Sequence, residues 1–160
     1  MIAQPTHPRP VIGVFSGPIG ASRTARLLEL AARDRRIGGV VSPQEGATRW
    51  FRDLRDLAAV PMDASAEAPE EAVQIVGRFR FRASAFRWAA VRMENALGDE
   101  RLGTIVLDEI GPLELRGLGF APWLPGWIDG YAPRLLLVVR DSVVQDVADR
   151  FGFVPDYRQG

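Results

Sequence analysis

The 160-residue sequence contains no cysteine, and this absence excludes disulfide frameworks and thiolate metal sites. No apolar run approaches the roughly 20 residues that span a bilayer, so we expect no membrane segment. Residues 1–10, MIAQPTHPRP, have no apolar stretch of the signal-peptide type. The cytoplasm is therefore the expected compartment.

The sequence also has no excess of either charge: its formal net charge is zero. Proteins that neutralise a nucleic-acid backbone usually carry a basic excess, so nucleic acid is not an expected partner. Lysine is absent, and all 20 basic residues are arginine. This bias matters wherever a motif usually contains lysine.

The hydrophobic content of 47% and charged content of 25% are typical of a globular protein. The length suits one domain. We assign residues 1–10, with three prolines and the only histidine, His7, to a flexible lead-in. Residues 11–155 are predicted to form a single domain.

Hydrophobic patterns predict alternating strands and helices. Apolar strands are expected at 11–16, 39–42, 102–107 and 135–139, and a half-buried strand at 76–82, where residues alternate. Helices are expected at 21–36, at 83–97 and after Ser142, which begins a capping-box pattern. Residues 43–56 are predicted to form a strand or hairpin, 61–72 an exposed loop and 111–133 a short helix with loops. The predicted class is α/β, a mostly parallel sheet covered by helices on both faces in three layers.

Residues 17–24, GPIGASRT, lie between a predicted strand and a predicted helix. Phosphate loops of the pattern G-x-x-x-x-G-K-[ST] occupy this position and bind phosphate through backbone N–H groups. Gly17 and Thr24 fit the pattern, whereas Ser22 replaces glycine and Arg23 replaces lysine. The candidate nucleotide-binding residues are Gly17, Pro18, Ile19, Gly20, Ala21, Ser22, Arg23 and Thr24. The alternative is an ordinary Gly-Pro turn without a ligand.

The segment Thr104–Glu109, TIVLDE, ends an apolar strand in two carboxylates. Such a pair is typical of a Walker B strand, in which the aspartate serves Mg²⁺ and the glutamate orients water. Asp108, with the Thr24 hydroxyl, is therefore a candidate metal ligand, and Glu109 is the candidate catalytic residue. The alternative is a strand that ends in an acidic turn.

Taken together, the segments GPIGASRT (17–24), GGVVSP (38–43), FRDLRDL (51–57), TIVLDEIGPLELRGLGF (104–120) and LLLVVR (135–140) resemble the THEP1-type nucleoside-triphosphatase family. The resemblance covers roughly residues 11–150 and is most specific at DEIGPLEL. It implies a P-loop NTPase fold of RecA-like or nucleotide-kinase-like type, which binds ATP or GTP with Mg²⁺ and slowly hydrolyses the terminal phosphate. Glu114 matches the glutamate of the family's Gly-Pro-x-Glu-Leu segment, and its role stays open.

Several arginines admit more than one interpretation. Arg78, Arg80, Arg82 and Arg87 form a cluster beside phenylalanines, which would be a phosphate lid, a nucleic-acid stripe or a solvated strand face; we favour the solvated face. Arg116, which follows the acidic motif, and Arg140, which ends a core strand, are each candidates for stabilising charge in a transition state. Trp123 and Trp127 are expected to pack in the core rather than to stack on a base.

Two functions follow. The first is a Mg²⁺-dependent nucleoside triphosphatase. The second is a nucleotide-binding or protein-interaction module without turnover, with an unidentified protein partner, because Ser22 and Arg23 depart from the phosphate-loop pattern. A nucleotide kinase is a variant of the first and would need an acceptor site and a lid.

Overall fold

The fold was analysed in a computed structural model that describes residues 11–15, 21–131, 134–154 and 156–157. The predicted lead-in at 1–10, His7 and residues 17–20 of the phosphate loop lie outside these residues. No helix in the described part of the chain is long and apolar enough to cross a membrane.

Ten strands and five helices are described. The strands are β1 (Val11–Phe15), β2 (Ile37–Val41), β3 (Gln44–Glu45), β4 (Thr48–Asp53), β5 (Ala59–Pro61), β6 (Val73–Val76), β7 (Phe79–Arg82), β8 (Thr104–Ile110), β9 (Leu135–Arg140) and β10 (Asp156–Tyr157). The helices are α1 (Ala21–Arg33), α2 (Ala83–Leu97), α3 (Pro112–Leu115), α4 (Leu124–Tyr131) and α5 (Val144–Phe151), with short 3₁₀ helices at Glu70–Ala72 and Asp141–Val143.

The main sheet has the order β10-β1-β9-β8-β2-β4-β3, and β5 pairs with β4. The five strands from β10 to β2 are parallel, whereas β3, β4 and β5 add an antiparallel edge. Strands β6 and β7 form a separate antiparallel hairpin. Strand β1 precedes the predicted phosphate loop, and β8 contains the two carboxylates. Because the two strands are parallel to β9, which lies between them, their carboxyl ends lie on the same side of the sheet although they are not neighbours.

Side chains of the central strands alternate between two apolar clusters, as a sheet covered on both faces requires. One cluster joins Ile105, Leu107 and Leu137 to helices α2, α4 and α5. The other joins Val106 and Val138 to helix α1. This arrangement confirms the predicted α/β class with helices on both faces.

Close backbone approach within the sheet requires glycine at position 39. Gly39 has φ +115°, and a Cβ there would lie 2.1 Å from the Val106 carbonyl oxygen. Any side chain would therefore push β2 away from β8.

Most predicted elements are present, but several bounds differ. Helix α1 ends at Arg33, three residues early, because the Asp34 carboxylate accepts the Arg36 backbone N–H at 2.9 Å and closes a turn. Strand β2 begins at Ile37, and β8 continues beyond Leu107 through the two carboxylates. The predicted hairpin within 43–56 is confirmed as β3 and β4.

Three local predictions are wrong. Residues 76–82 are not one strand, because Gly77 at φ +56° turns the chain between β6 and β7. The 61–72 segment is not wholly an exposed loop, since Pro61 belongs to β5 and Met62 is buried. Ser142 does not cap α5; it lies in a 3₁₀ helix, and Val143 occupies the cap position without a side-chain bond.

Candidate functional site

The acidic end of β8 contains a β-bulge. Leu107 pairs with Leu137 and Ile110 with Val139, so two residues, Asp108 and Glu109, oppose one residue of β9. Glu109 has φ 59°, a conformation that non-glycine residues rarely adopt. Bulges of this kind re-aim side chains and are common beside active sites. Here the bulge directs the two carboxylates to different partners.

Asp108 joins three elements of the fold. Its Oδ2 accepts a hydrogen bond from the Thr24 hydroxyl at 2.9 Å and one from the Ser42 backbone N–H at 3.2 Å. Thr24 lies in the first turn of α1, and Ser42 directly follows β2. The structure therefore brings together the last residue of the predicted phosphate loop and the predicted metal ligand, which are 84 positions apart.

Burial dominates the electrostatics of Asp108, whose exposed fraction is 1%. Loss of solvation, together with the neighbouring Glu109 charge, raises the pKa of Asp108 to about 6. Its Oδ1 is buried and has no hydrogen-bond partner within the described part of the chain. A buried carboxylate oxygen without a donor is costly, and a cation would offset that cost.

The donor set suits Mg²⁺ better than a metal that is held by protein alone. Among the described residues, no group of three or more His, Cys, Asp or Glu side chains is placed to hold a metal. Mg²⁺ usually binds one or two protein oxygens and completes its shell with water and phosphate oxygens. The Thr24 hydroxyl and the Asp108 Oδ1 fit that requirement.

Glu109 shares no hydrogen-bond partner with Asp108 among the described residues and pairs with Arg49 of strand β4. The Arg49 Nη1 and Glu109 Oε2 atoms are 3.4 Å apart, and both side chains are mostly buried. The Arg49 guanidinium also lies 5.1 Å from the centroid of the Phe79 ring. Its backbone N–H donates to Asp63 at 2.8 Å. The ring contact and the backbone hydrogen bond position Arg49, and its ion pair in turn positions the Glu109 carboxylate.

Glu114 organises the loop that follows β8. Its Oε1 accepts the Gly111 backbone N–H at 2.9 Å, and its Oε2 accepts the Phe120 N–H at 3.1 Å. It is 2% exposed, and burial raises the pKa of Glu114 to about 7. Gly119 is needed beside it, because a Cβ there would meet Oε2 at 1.9 Å. Glu114 therefore shapes the loop, and it also lines a cleft together with Glu109.

The predicted site residues fall into three groups. Gly17, Pro18, Ile19 and Gly20 lie outside the described residues. Ala21, Ser22, Arg23 and Thr24 form the first turn of α1, whose N-terminus is suited to phosphate. Asp108 and Glu109 lie at the end of β8, and Thr24 connects these two places.

The structure distinguishes Arg140 from Arg116 and gives the contacts of the 78–87 arginines. Arg140 ends β9 and lines a cleft with Glu109, whereas Arg116 is exposed and does not line that cleft. In the 78–87 cluster, Arg78 lies against the Phe79 ring, Arg80 donates to the Ala68 carbonyl and Arg82 to that of Asp63. Arg78, Arg82 and Arg87 are exposed and Arg80 is half-buried, so the favoured interpretation as a solvated face holds for three of the four arginines.

Two residues of the site were not predicted from the sequence. Ser42 had a usable signal, because it follows a buried parallel strand and the carboxyl ends of such strands share one edge. Arg49 had none, since nothing in its local sequence distinguishes it from the other arginines. The tryptophan prediction is in keeping with the structure: Trp127 is buried, and its ring stacks on Trp123 at 6.3 Å.

Comparison with known proteins bears on the fold. A scan against protein-family models finds no match, and a search of the curated proteins finds none either. Solved structures do match. The solution structure of a human cancer-related nucleoside triphosphatase is similar with a TM-score of 0.65 and 15% identity, over 94% of this chain and 88% of that one. The crystal structure of THEP1 from the hyperthermophile Aquifex aeolicus gives a TM-score of 0.68 and 13% identity over the same shares. These matches confirm the predicted α/β fold, which the chain shares with both structures.

Proposed function

We propose that this chain binds a nucleoside triphosphate, ATP or GTP, together with Mg²⁺ and slowly hydrolyses the terminal phosphate. The observation that carries the proposal is the buried hydrogen bond between the Thr24 hydroxyl and the Asp108 carboxylate. It joins the first turn of α1 to the end of β8, the two places that a phosphate-binding metal site requires. The cytoplasm, where Mg²⁺ and nucleoside triphosphates are abundant, is the proposed compartment.

Each part of the site has a proposed role. Residues 17–23 and the N-terminus of α1 bind the phosphate oxygens through backbone N–H groups, and Arg23 adds a positive charge. Thr24 and Asp108 hold Mg²⁺ through the hydroxyl and the Oδ1 that has no donor. When bound, Mg²⁺ neutralises charge on the terminal phosphate oxygens.

Glu109 orients and deprotonates the attacking water. Its carboxylate orients a water molecule, whose oxygen attacks the terminal phosphorus while the bond to the diphosphate breaks. The proton of the water passes to Glu109. The ion pair with Arg49 at 3.4 Å holds the carboxylate in one orientation, which favours a single water position.

A second function is favoured by the same ion pair. If the ion pair with Arg49 keeps the Glu109 carboxylate turned away from the attacking water after a nucleotide binds, the chain binds without turnover. Ser22 and Arg23, which depart from the usual phosphate loop, act in the same direction. The chain would then be a nucleotide-responsive module that acts through a partner.

Release of inorganic phosphate from Mg²⁺-ATP and Mg²⁺-GTP separates the two functions. We expect slow release by the unaltered chain and a reduction of about 100-fold in Glu109→Gln, which keeps the shape but cannot accept a proton. Glu94→Gln is the matched control, because Glu94 is exposed on α2. Nucleotide binding without release would support the second function. Equal release by Glu109→Gln and the unaltered chain would disprove the role of Glu109.

A further inference from the structure

A cleft of about 190 Å³ opens beside the candidate phosphate site. Ser42 lines the cleft and also donates its backbone N–H to Asp108. This single residue therefore connects the cleft to the candidate metal ligand. Glu109 lines it as well. The cleft therefore lies on the side from which Glu109 would present a nucleophile to the terminal phosphorus.

The interior of the cleft is aromatic. Five phenylalanines line it, from β4, β7, α2 and the loop after α3: Phe51, Phe79, Phe81, Phe86 and Phe120. Their rings contact one another in series, with centroids 5.0 Å apart for Phe51 and Phe86 and 5.9 Å apart for Phe79 and Phe81. Such walls bind flat apolar groups by burial and ring contact.

The lining of the cleft also includes charged side chains. Two guanidinium groups, Arg49 and Arg140, line it with two carboxyl groups, Glu109 and Glu114. Glu109 is paired with Arg49, and the Glu114 oxygens accept two backbone N–H groups. Arg140 has no ion-pair partner in the described ranges. A half-buried arginine without a counter-charge favours an anionic group on a ligand.

The size of the cleft limits the ligand. A cavity of about 150 Å³ in another protein holds benzene, so about 190 Å³ accommodates one substituted ring. Ordinary sites for larger ligands begin at roughly 300 Å³. A nucleoside with its phosphates is too large for the cleft. We therefore assign the nucleotide to the phosphate loop and a second, smaller molecule to the cleft.

We propose that the cleft binds a single-ring aromatic alcohol that carries an anionic group, and that this alcohol accepts the terminal phosphoryl group. The ring lies among the phenylalanines, the anionic group pairs with Arg140, and the hydroxyl lies at Glu109. This inference rests on the proposed function for the donor nucleotide and replaces water with the alcohol as the acceptor.

The transfer step balances without another reactant. The hydroxyl oxygen of the alcohol forms a bond to the terminal phosphorus, and the bond from that phosphorus to the bridging oxygen breaks. The nucleoside diphosphate leaves with the electron pair. The hydroxyl proton moves to the Glu109 carboxylate and then to solvent.

Binding is tested without nucleotide, so its result does not depend on the proposed function. The probe is 4-(hydroxymethyl)benzoate, titrated into the isotope-labelled full chain and followed by amide chemical shifts. We expect saturable shifts around Phe79 and Phe120, and affinity for neutral benzyl alcohol weaker by about tenfold. Arg140→Gln should abolish the difference between the two probes, whereas no saturable shift in the cleft would overturn the proposal.

Two wall variants keep the binding test independent of folding defects. Val76→Phe adds a ring inside the cleft from a half-buried position at the end of β6, and Phe79→Ala removes a partly exposed ring. Each should weaken probe binding by about tenfold while thermal unfolding stays cooperative. If both fold and both bind like the unaltered chain, the ligand does not occupy the cleft and the proposal fails.

Transfer is then followed by ³¹P NMR with Mg²⁺-ATP and the probe. The proposal expects a phosphate monoester of the probe, reduced in Val76→Phe while phosphate release to water continues. Release of inorganic phosphate with no ester overturns the acceptor role and leaves the proposed hydrolysis intact. If there is neither ester nor phosphate while the probe binds in the cleft, the proposed hydrolysis fails and the acceptor role fails with it.

Discussion

Glu114 gives a sharp prediction about stability, because it is a buried carboxyl group that has no ion-pair partner among the described residues. Two backbone N–H groups, from Gly111 and Phe120, are its hydrogen-bond donors. Burial outweighs these bonds and raises the pKa of Glu114 from 4.5 to about 7. The folded chain therefore holds this proton more tightly than the unfolded chain does.

The sign of the pH dependence follows from linkage. A folded-state pKa above the unfolded value contributes stability that is complete below about pH 4.5 and is lost as pH rises through about 7. The difference between the unfolded-state pKa of 4.5 and the folded-state pKa of about 7 corresponds to about 3 kcal/mol in the free energy of unfolding. We expect the unaltered chain to lose about 2 kcal/mol or more between pH 5 and pH 8 from this group.

Urea unfolding at pH 5, 6, 7 and 8 measures the effect in the unaltered chain and in Glu114→Gln. The variant should be less stable at pH 5, since an amide cannot accept both N–H groups through one oxygen, and its stability should change less with pH. Asp108→Asn is the control, because the pKa of Asp108 is also raised, to about 6. If Glu114→Gln and the unaltered chain have the same pH dependence, the assignment to Glu114 is refuted.

Two further substitutions test single contacts. Thr24→Val removes the buried hydroxyl that donates to Asp108. It should lower the free energy of unfolding in urea by about 1.5–3 kcal/mol and abolish the Mg²⁺ dependence of nucleotide binding. Thr24→Ser should keep the stability and the Mg²⁺ dependence, and a Thr24→Val variant that also keeps them would contradict the proposed site. Gly39→Ala should cost at least about 3 kcal/mol by thermal unfolding, because its Cβ would meet the Val106 carbonyl. Gly103→Ala, with no atom within 4 Å of the new Cβ, should cost far less, and equal losses would refute the close-approach argument.

The sequence predicted the central strands well because they are buried on both faces. Runs such as Leu135–Val139 have no polar position at which the pattern becomes ambiguous. Helix α2 was equally clear, since its buried residues recur at helical spacing along 83–97. Together these elements were sufficient to predict the layered α/β class.

Local patterns failed where a turn preserved the alternation. Phe79 and Phe81 share one face in a hairpin strand just as they would in a longer strand, so period two could not reveal the turn at Gly77. At Ser142 the capping pattern was present, but the preceding 3₁₀ turn placed Val143 at the cap. In both places the deciding factor was the neighbouring backbone geometry.

The candidate site was only partly predictable for a different reason. Asp108 and Thr24 were recognisable because each belongs to a short motif with a known chemistry. Arg49 and the phenylalanine cleft depend on contacts between distant segments, such as the pairing of residues 49 and 109 across the sheet. The Glu109 conformation depends on a bulge, which no residue type in TIVLDE encodes.

The central claim is that Asp108 and the first turn of α1 form a nucleotide–Mg²⁺ site. Calorimetric titration with Mg²⁺ and a slowly hydrolysed ATP or GTP analogue tests it most directly, in the unaltered chain, in Asp108→Asn and in the control Asp99→Asn, which alters a carboxylate paired with Arg101. The account predicts binding that Asp108→Asn weakens by about tenfold or more and Asp99→Asn leaves unchanged. Absence of binding, or equal affinity in all three proteins, would contradict it.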